Sequence, residues 1–190
     1  MNDIAGRDLG GQHAAAELFT AIGVIRRTAR RAARQAWAQQ PLPPAQHDFV
    51  AVSLSRKGTA YFGHAGSSPG KAGARTVVIE LKDHALPPLA NTTGYPLAFP
   101  RPHVRKLLEN AKVVVWDYAW RPHEPTPMHF HDKDTLVVFE ADGPLQSTTP
   151  DGKSTVNDYH FGDIRFNGRD RTHSELLIRG TQHAVITELK

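Results

Sequence analysis

Pro127-Met128-His129-Phe130-His131-Asp132-Lys133-Asp134-Thr135, followed by the apolar run Leu136-Val137-Val138-Phe139, is the stretch on which the fold turns. Residues two apart on a β-strand point to the same face. His129 and His131 therefore aim both imidazoles at one point, and Phe130 turns away. Two neutral imidazoles from one strand give a divalent metal two of its ligands. A pair of inert, hydrogen-bonded histidines on a sheet face is the competing reading. His173 weighs against it, because it lies 42 residues past His131 at the start of a strand-like segment, 174–178.

Working outward, short β-branched and aromatic runs recur at 49–54, 59–62, 75–81, 104–108, 112–120, 135–140, 145–149, 154–156, 164–166, 174–178 and 184–189. About ten short strands at near-regular spacing predict an all-β sandwich or barrel. The 112–120 run alternates, with Val114, Trp116, Tyr118 and Trp120 on one face and Val113, Val115 and Ala119 on the other. Those aromatics read as core before substrate platform. The 104–108 and 112–120 runs read as a hairpin turning at Glu109-Asn110. Pro150-Asp151-Gly152-Lys153 reads as a tight turn. Five prolines make 85–102 an extended, irregular crossing. Residues 76–82 resemble 184–190, an echo that reads as a mark of sheet partners.

The loop 63–74 invites two readings that fail. Gly66-Ser67-Ser68-Pro69-Gly70 matches a G-x-S-x-G nucleophile elbow, but Pro69, Gly70 and Gly73 forbid the helix that must follow the serine. Residues 65–71 approach a phosphate-binding loop, but Ala65 and Ala72 stand where it needs Gly and Ser or Thr. The segment reads as a surface loop.

The chain divides at its prolines into an arm, 1–46, and a β domain, 47–190. Leu18, Ile22, Ile25, Ala29, Ala32 and Ala36 form a narrow apolar stripe over 14–39, with Arg26, Arg27, Arg30, Arg31 and Arg34 on the remaining surface. That predicts an amphipathic helix packed by its stripe. No aromatic platform is interleaved, so nucleic acid is not the expected partner. Pro41, Pro43 and Pro44 end the helix. Ala36-Trp37-Ala38 has the form of a signal cleavage site, but the residues before it are Arg-rich. The expected compartment is the cytoplasm, with export as the alternative. The absence of cysteine excludes disulfides, Cys-ligated zinc and thiol nucleophiles. No apolar run approaches the ~20 residues of a membrane span. The formal charge is +4 and the apolar fraction 39%, enough for a core.

Over residues 75–190, and in its motifs over 104–190, the chain resembles a single-domain cupin of the RmlC-like type. His129 and His131 match the His-x-His of the first cupin motif, and Gly143 its closing Gly. Gly162-Asp163 opens the second motif, and His173 falls at the position of that motif's histidine. The resemblance implies a jelly-roll β-barrel with a metal inside, held by His129, His131 and His173, and a homodimer. It departs from the family pattern in five places. His123 stands at the opening Gly, Thr135 or Leu136 at the metal-binding Glu, Gly168 at the Pro, Asp170 at the Gly and Leu177 at the Asn. The carboxylate ligand is therefore missing.

A neutral three-histidine shell suits Fe(II), Zn, Mn, Ni or Cu and does not choose among them. Three-histidine cupins resemble thiol and diketone dioxygenases, which implies an oxidative reaction on a small chelating substrate. A non-catalytic cupin that binds a small molecule or metal is the alternative. A metal-assisted isomerase or lyase is a weaker one. The sequence identifies no catalytic acid or base. Thr135, Asp134, His123, Glu175 and Tyr118 are the candidates for the pocket or for indirect contact with the metal. His13, His47, His64, His84, His103, His160 and His183 fit no ligand spacing and are expected on the surface.

Overall fold

The computed structural model describes residues 44–69, 75–82 and 87–190. The expected helix over 14–39 lies outside the described residues, as does most of the proline linker. All regular elements described are strands, as the periodicity predicts. They are β1 Phe49–Ser53, β2 Ala60–Gly63, β3 Thr76–Glu80, β4 Val104–Glu109, β5 Val113–Trp120, β6 His129–His131, β7 Thr135–Phe139, β8 Gly143–Thr148, β9 Ser154–Tyr159, β10 Ile164–Asn167, β11 Arg171–Leu177 and β12 Gln182–Leu189. No helix among the described residues is long and apolar enough to cross a membrane.

Three antiparallel sheets stack in layers. A five-stranded sheet, β10-β7-β12-β5-β4, faces a four-stranded sheet, β6-β11-β8-β9, and a three-stranded sheet, β2-β1-β3, forms the third layer. The strand alternation decides which layer each residue serves. Val114, Trp116, Tyr118 and Trp120 of β5, Val137 and Phe139 of β7 and Ile186 of β12 point inward and pack with Leu145 and Leu177. Val113 and Val115, Leu136 and Val138, and Val185 point outward and pack against Val50, Val52, Val77 and Ile79 of the third layer. Strands β5, β7 and β12 are therefore buried on both faces and read as near-continuous hydrophobic runs. The first two sheets make the jelly roll, and the third is an outer cover.

The hairpin β4–β5 turns at Asn110, whose backbone N–H donates to the Val113 carbonyl at 3.0 Å, as expected. Gly152 takes φ +81° in the 150–153 turn and Gly162 takes φ +87° after β9. Both are conformations that favour glycine. The 87–102 crossing carries no strand, but it lies along the free edge of β6. The Phe130 N–H donates to the Pro96 carbonyl and the Ala98 N–H to the Phe130 carbonyl, both at 2.8 Å.

Three expectations need correction. Residues 76–82 and 184–190 are not sheet partners: β3 pairs with β1, while β12 pairs with β5 and β7. Their likeness follows from Val77, Ile79 and Val185 filling one aliphatic layer from opposite sides. The strand that carries His173 starts earlier than expected, at Arg171. His183 is not a surface residue, because its side chain is only 13% exposed and lies between Asp117 and Glu140. His64, His103 and His160 are exposed and His47 is half-buried, while His13 and His84 lie outside the described residues.

Candidate metal centre

The site is built by the pairing of two strands. β6 and β11 run antiparallel with His129 opposite His173, Phe130 opposite Thr172 and His131 opposite Arg171. Directly opposite residues on one face have neighbouring side chains. That register brings His173 beside His129, and the two-residue period adds His131 on one strand and Arg171 and Glu175 on the other. All three histidines are buried, at 2%, 6% and 8% exposure.

Their Nε2 atoms converge. His131 Nε2 lies 3.2 Å from His129 Nε2 and 3.0 Å from His173 Nε2. All three ligand atoms fall within 4.8 Å of one another. Metal–nitrogen bonds near 2.1 Å with donors about 90–100° apart would give the two short separations. The outer nitrogens of two rings have partners, and that of His129 fixes its tautomer. His129 Nδ1–H donates to the Pro127 carbonyl at 2.8 Å, and His173 Nδ1 lies 2.8 Å from the Ser147 hydroxyl. His129 Nε2 faces His131 Nε2 and the Arg101 guanidinium, and His173 Nε2 faces His131 Nε2, so the three near nitrogens meet at one point.

The rings are held neutral. Burial first, then the Arg101 guanidinium, pulls His129 down to about 4. Burial and the charge of Arg171 push His131 well below the usual imidazole range. Burial lowers His173 as well, with Glu175 opposing. Neutral imidazole is the state that ligates. Thr135 is 1% exposed, and its Oγ1 has no partner among the described residues.

His131 and His173 open on a cavity of about 180 Å³, lined by Trp120, Phe139 and Tyr159 on its aromatic side and by Thr135, Ser147, Asn157, Asn167, Arg171 and Glu175 among its polar groups. Two residues that sequence reasoning missed stand here. Arg101, delivered by the crossing that lies along β6, places Nη1 at 3.2 Å from His129 Nε2 and pairs Nη2 with Glu175 Oε2 at 3.2 Å. Its guanidinium lies over the Tyr118 ring at 4.1 Å. Trp120 Nε1–H also donates to Glu175 Oε2, at 3.1 Å. Burial alone would raise the Glu175 carboxyl, but the Arg101 charge and its neighbours bring it down to about 2. Arg171 is the second missed residue. An inward period of two through Arg171, His173 and Glu175 was its available signal.

Of the sequence candidates, Thr135 and Glu175 line the cavity, and Tyr118 backs Arg101. Asp134 instead accepts the Arg169 backbone N–H at 2.7 Å and caps that turn. His123 is exposed in a turn at φ +62°. Neither Asp134 nor His123 lines the cavity.

The jelly roll, with its histidines on β6 and β11, is the cupin architecture that the motifs implied. No protein-family model and no curated protein matches the sequence. Among solved structures, a cupin domain from Bordetella pertussis Tohama I is similar at 26% identity, covering 48% of this chain and 97% of that one with a TM-score of 0.42. An RmlC-like cupin family protein with a double-stranded β-helix fold from Methanocaldococcus jannaschii is similar at 16% identity, covering 45% and 77%, TM-score 0.39. A cupin-2 domain protein from Shewanella frigidimarina is similar at 15% identity, covering 48% and 83%, TM-score 0.37.

Proposed function

We propose that this cupin-fold chain holds one divalent metal ion on His129, His131 and His173 and carries out a dioxygenase-like oxidation of a small chelating substrate in the cavity beside it. The observation that carries the reading is the convergence of three buried, neutral imidazole nitrogens, 3.0 and 3.2 Å apart along the chain of contacts. Three neutral ligands leave the ion its full charge and open positions. A redox-active ion bound there would supply electrons and coordination sites for substrate and O2. The chain's own residues would shape the pocket: Trp120, Phe139 and Tyr159 exclude water, and Thr135 offers a free hydroxyl.

Proton transfer by a carboxylate is not part of the reading. Among the described residues Glu175 is the one carboxylate lining the cavity, and Arg101 and Trp120 both occupy its Oε2. That engagement also favours the second reading, a cupin that binds a small molecule or metal without turning it over. Elemental analysis of protein purified without a histidine tag, beside His131→Ala, tests the metal. Oxygen uptake across small thiols and diketones tests the reaction. Stoichiometric iron with oxygen consumption supports the oxidase reading. A redox-inactive metal with no uptake across the panel overturns it in favour of the binding module. The family resemblance carries a homodimer with it, which light scattering of the purified protein checks.

A further inference from the structure

We propose that Asn157 and Asn167 set the ligand specificity of the cavity, and that they take the hydroxyl-bearing end of a small alcohol whose other end meets the metal. This deepens the metal-centre reading above and rests on it. The two carboxamides enter the cavity from different sheets. Asn157 lies on β9 opposite Leu145, and Asn167 closes β10 opposite Thr135. The two-residue period turns both inward. Asn157 shares its face with Tyr159, which also lines the cavity, while Ile164 and Phe166 take the other face of β10 and pack in the outer layer. The polar side chains nearer the metal are already engaged. Arg101 and Trp120 meet on Glu175, and Ser147 lies against His173. The amides of Asn157 and Asn167 have no hydrogen-bond partner among the described residues, and unlike Thr135 Oγ1 they are not sealed from solvent.

Carboxamides that line a cavity and bond nothing in the protein must be satisfied by what enters it. Each presents one acceptor oxygen and two N–H donors, and a hydroxyl answers both, because it donates one bond and accepts others. An apolar end would strip water from both amides and give nothing in return. A site built to bond a hydroxyl therefore rejects the analogue that lacks it more strongly than an apolar pocket rejects a missing methylene. Register sets the distance. Ser147, whose hydroxyl meets His173, lies two residues along β8 from Leu145, so Asn157 stands one pleat repeat, about 7 Å, beyond the position that supports the metal ligand. A cavity of about 180 Å³ has the volume of roughly six waters, at about 30 Å³ each. That length and that volume suit a molecule of about three carbons, chelating at one end and hydroxylated at the other.

The test uses Co(II)-loaded protein with two probes, dihydroxyacetone and hydroxyacetone, titrated by calorimetry and by the visible cobalt spectrum. Both carry the same chelating carbonyl and hydroxyl, and they differ only in the hydroxyl at the far end. Wild type is expected to bind dihydroxyacetone about tenfold more tightly. Asn157→Leu and Asn167→Leu, close in size to the native residues, each reduce that preference, and the double variant abolishes it while cobalt stays stoichiometric. Asn157→Ser and Asn167→Ser, which return a donor and an acceptor, keep part of it, as a purely structural role would not require. The proposal falls if wild type binds neither probe, shows no preference between them, or passes its preference unchanged to the double variant. Cobalt content, measured separately, reports on the metal reading. Should no cobalt bind, calorimetry on the metal-free protein decides the matter: a preference that depends on the two asparagines supports the proposal, and its absence overturns it. Where a leucine variant departs from wild type in its near-ultraviolet circular dichroism spectrum, Asn157→Ala and Asn167→Ala, which cannot overpack the cavity, take its place.

Discussion

Two buried histidine sites lie on facing sheets of the barrel, one inside it and one outside, and they do different work. Inside, His129, His131 and His173 turn lone pairs toward one another. Outside, His183 on β12 turns each ring nitrogen to a carboxylate: Nε2 to Asp117 Oδ1 and Nδ1 to Glu140 Oε2, both at 2.7 Å. Glu140 Oε2 also accepts the Gly58 backbone N–H at 2.8 Å, and Arg105 bridges Asp117 at 2.6 Å and the Gly58 carbonyl at 3.2 Å. The outer cluster pins the β1–β2 turn of the covering sheet onto the barrel. Both groups are removed from water, so burial does not separate a ligand from a clamp. Their neighbours do. A ring flanked by carboxylates on both nitrogens is held by charge, whereas His129 and His173, whose far nitrogens meet a carbonyl and a hydroxyl, present their near ones.

The sharpest way to break this comparison is to exchange the consequences. His131→Ala removes the central ligand, and metal retained after dialysis should fall more than about a hundredfold, beyond the range that indirect partners account for. Elemental analysis reads it, and the fold should persist by circular dichroism. Glu140→Ala, on the outer face, should do the reverse. It leaves the Gly58 N–H and one side of His183 unpaired, which should cost about 3 kcal/mol of unfolding free energy in denaturant titrations while metal content stays at wild type. A Glu140→Ala protein that lost its metal would show that the two faces are one unit.

The β-class, the histidine pair, His173 and the double-faced alternation of β5 were legible in the sequence, because each rests on a period of two or on motif spacing. Arg101 was not. It sits in a proline-rich crossing with no periodicity, which the hydrogen bonds of Pro96 and Ala98 to Phe130 lay along β6, so that Arg101 reaches His129. Arg171 was readable in principle, two residues before His173, once the strand was begun three residues earlier than its β-branched content suggested. His183 was misjudged because its partners come from β5 and β7, and no local pattern states which strands will be neighbours. Asp134 and His123 were plausible by proximity to the motif alone. Turn geometry, not side-chain chemistry, took them away from the cavity.

Acid sharpens the comparison from the side of the inner cluster. His129 has a folded value of about 4 against an ordinary 6.5. Between those values the unfolded chain binds the proton and the folded one does not, so stability falls as pH drops from about 6.5 toward 4 and is fully present above 6.5. A shift of that size corresponds to about 3 kcal/mol at most for this ring. Denaturant titrations of metal-free wild type and His129→Gln across this range should diverge, with the wild type losing more. Parallel curves would mean that His129 titrates as an ordinary exposed imidazole.

The smallest expected effect concerns the hydroxyl that turns His173. Ser147 lies on β8 across from Glu175, and its Oγ is 2.8 Å from His173 Nδ1. It makes no contact that a metal would need directly, so its influence must pass through the imidazole: accepting the Nδ1 proton keeps Nε2 as the ligand and holds the ring plane. Ser147→Ala frees that nitrogen and should weaken metal binding by about tenfold, the low end for such partners. Ser147→Thr keeps the hydroxyl and should restore most of the affinity in a competition titration against a chelator. Equal affinities in all three proteins would mean that strand pairing alone orients His173, and that the inner cluster, unlike the outer one, needs no hydrogen-bonded support.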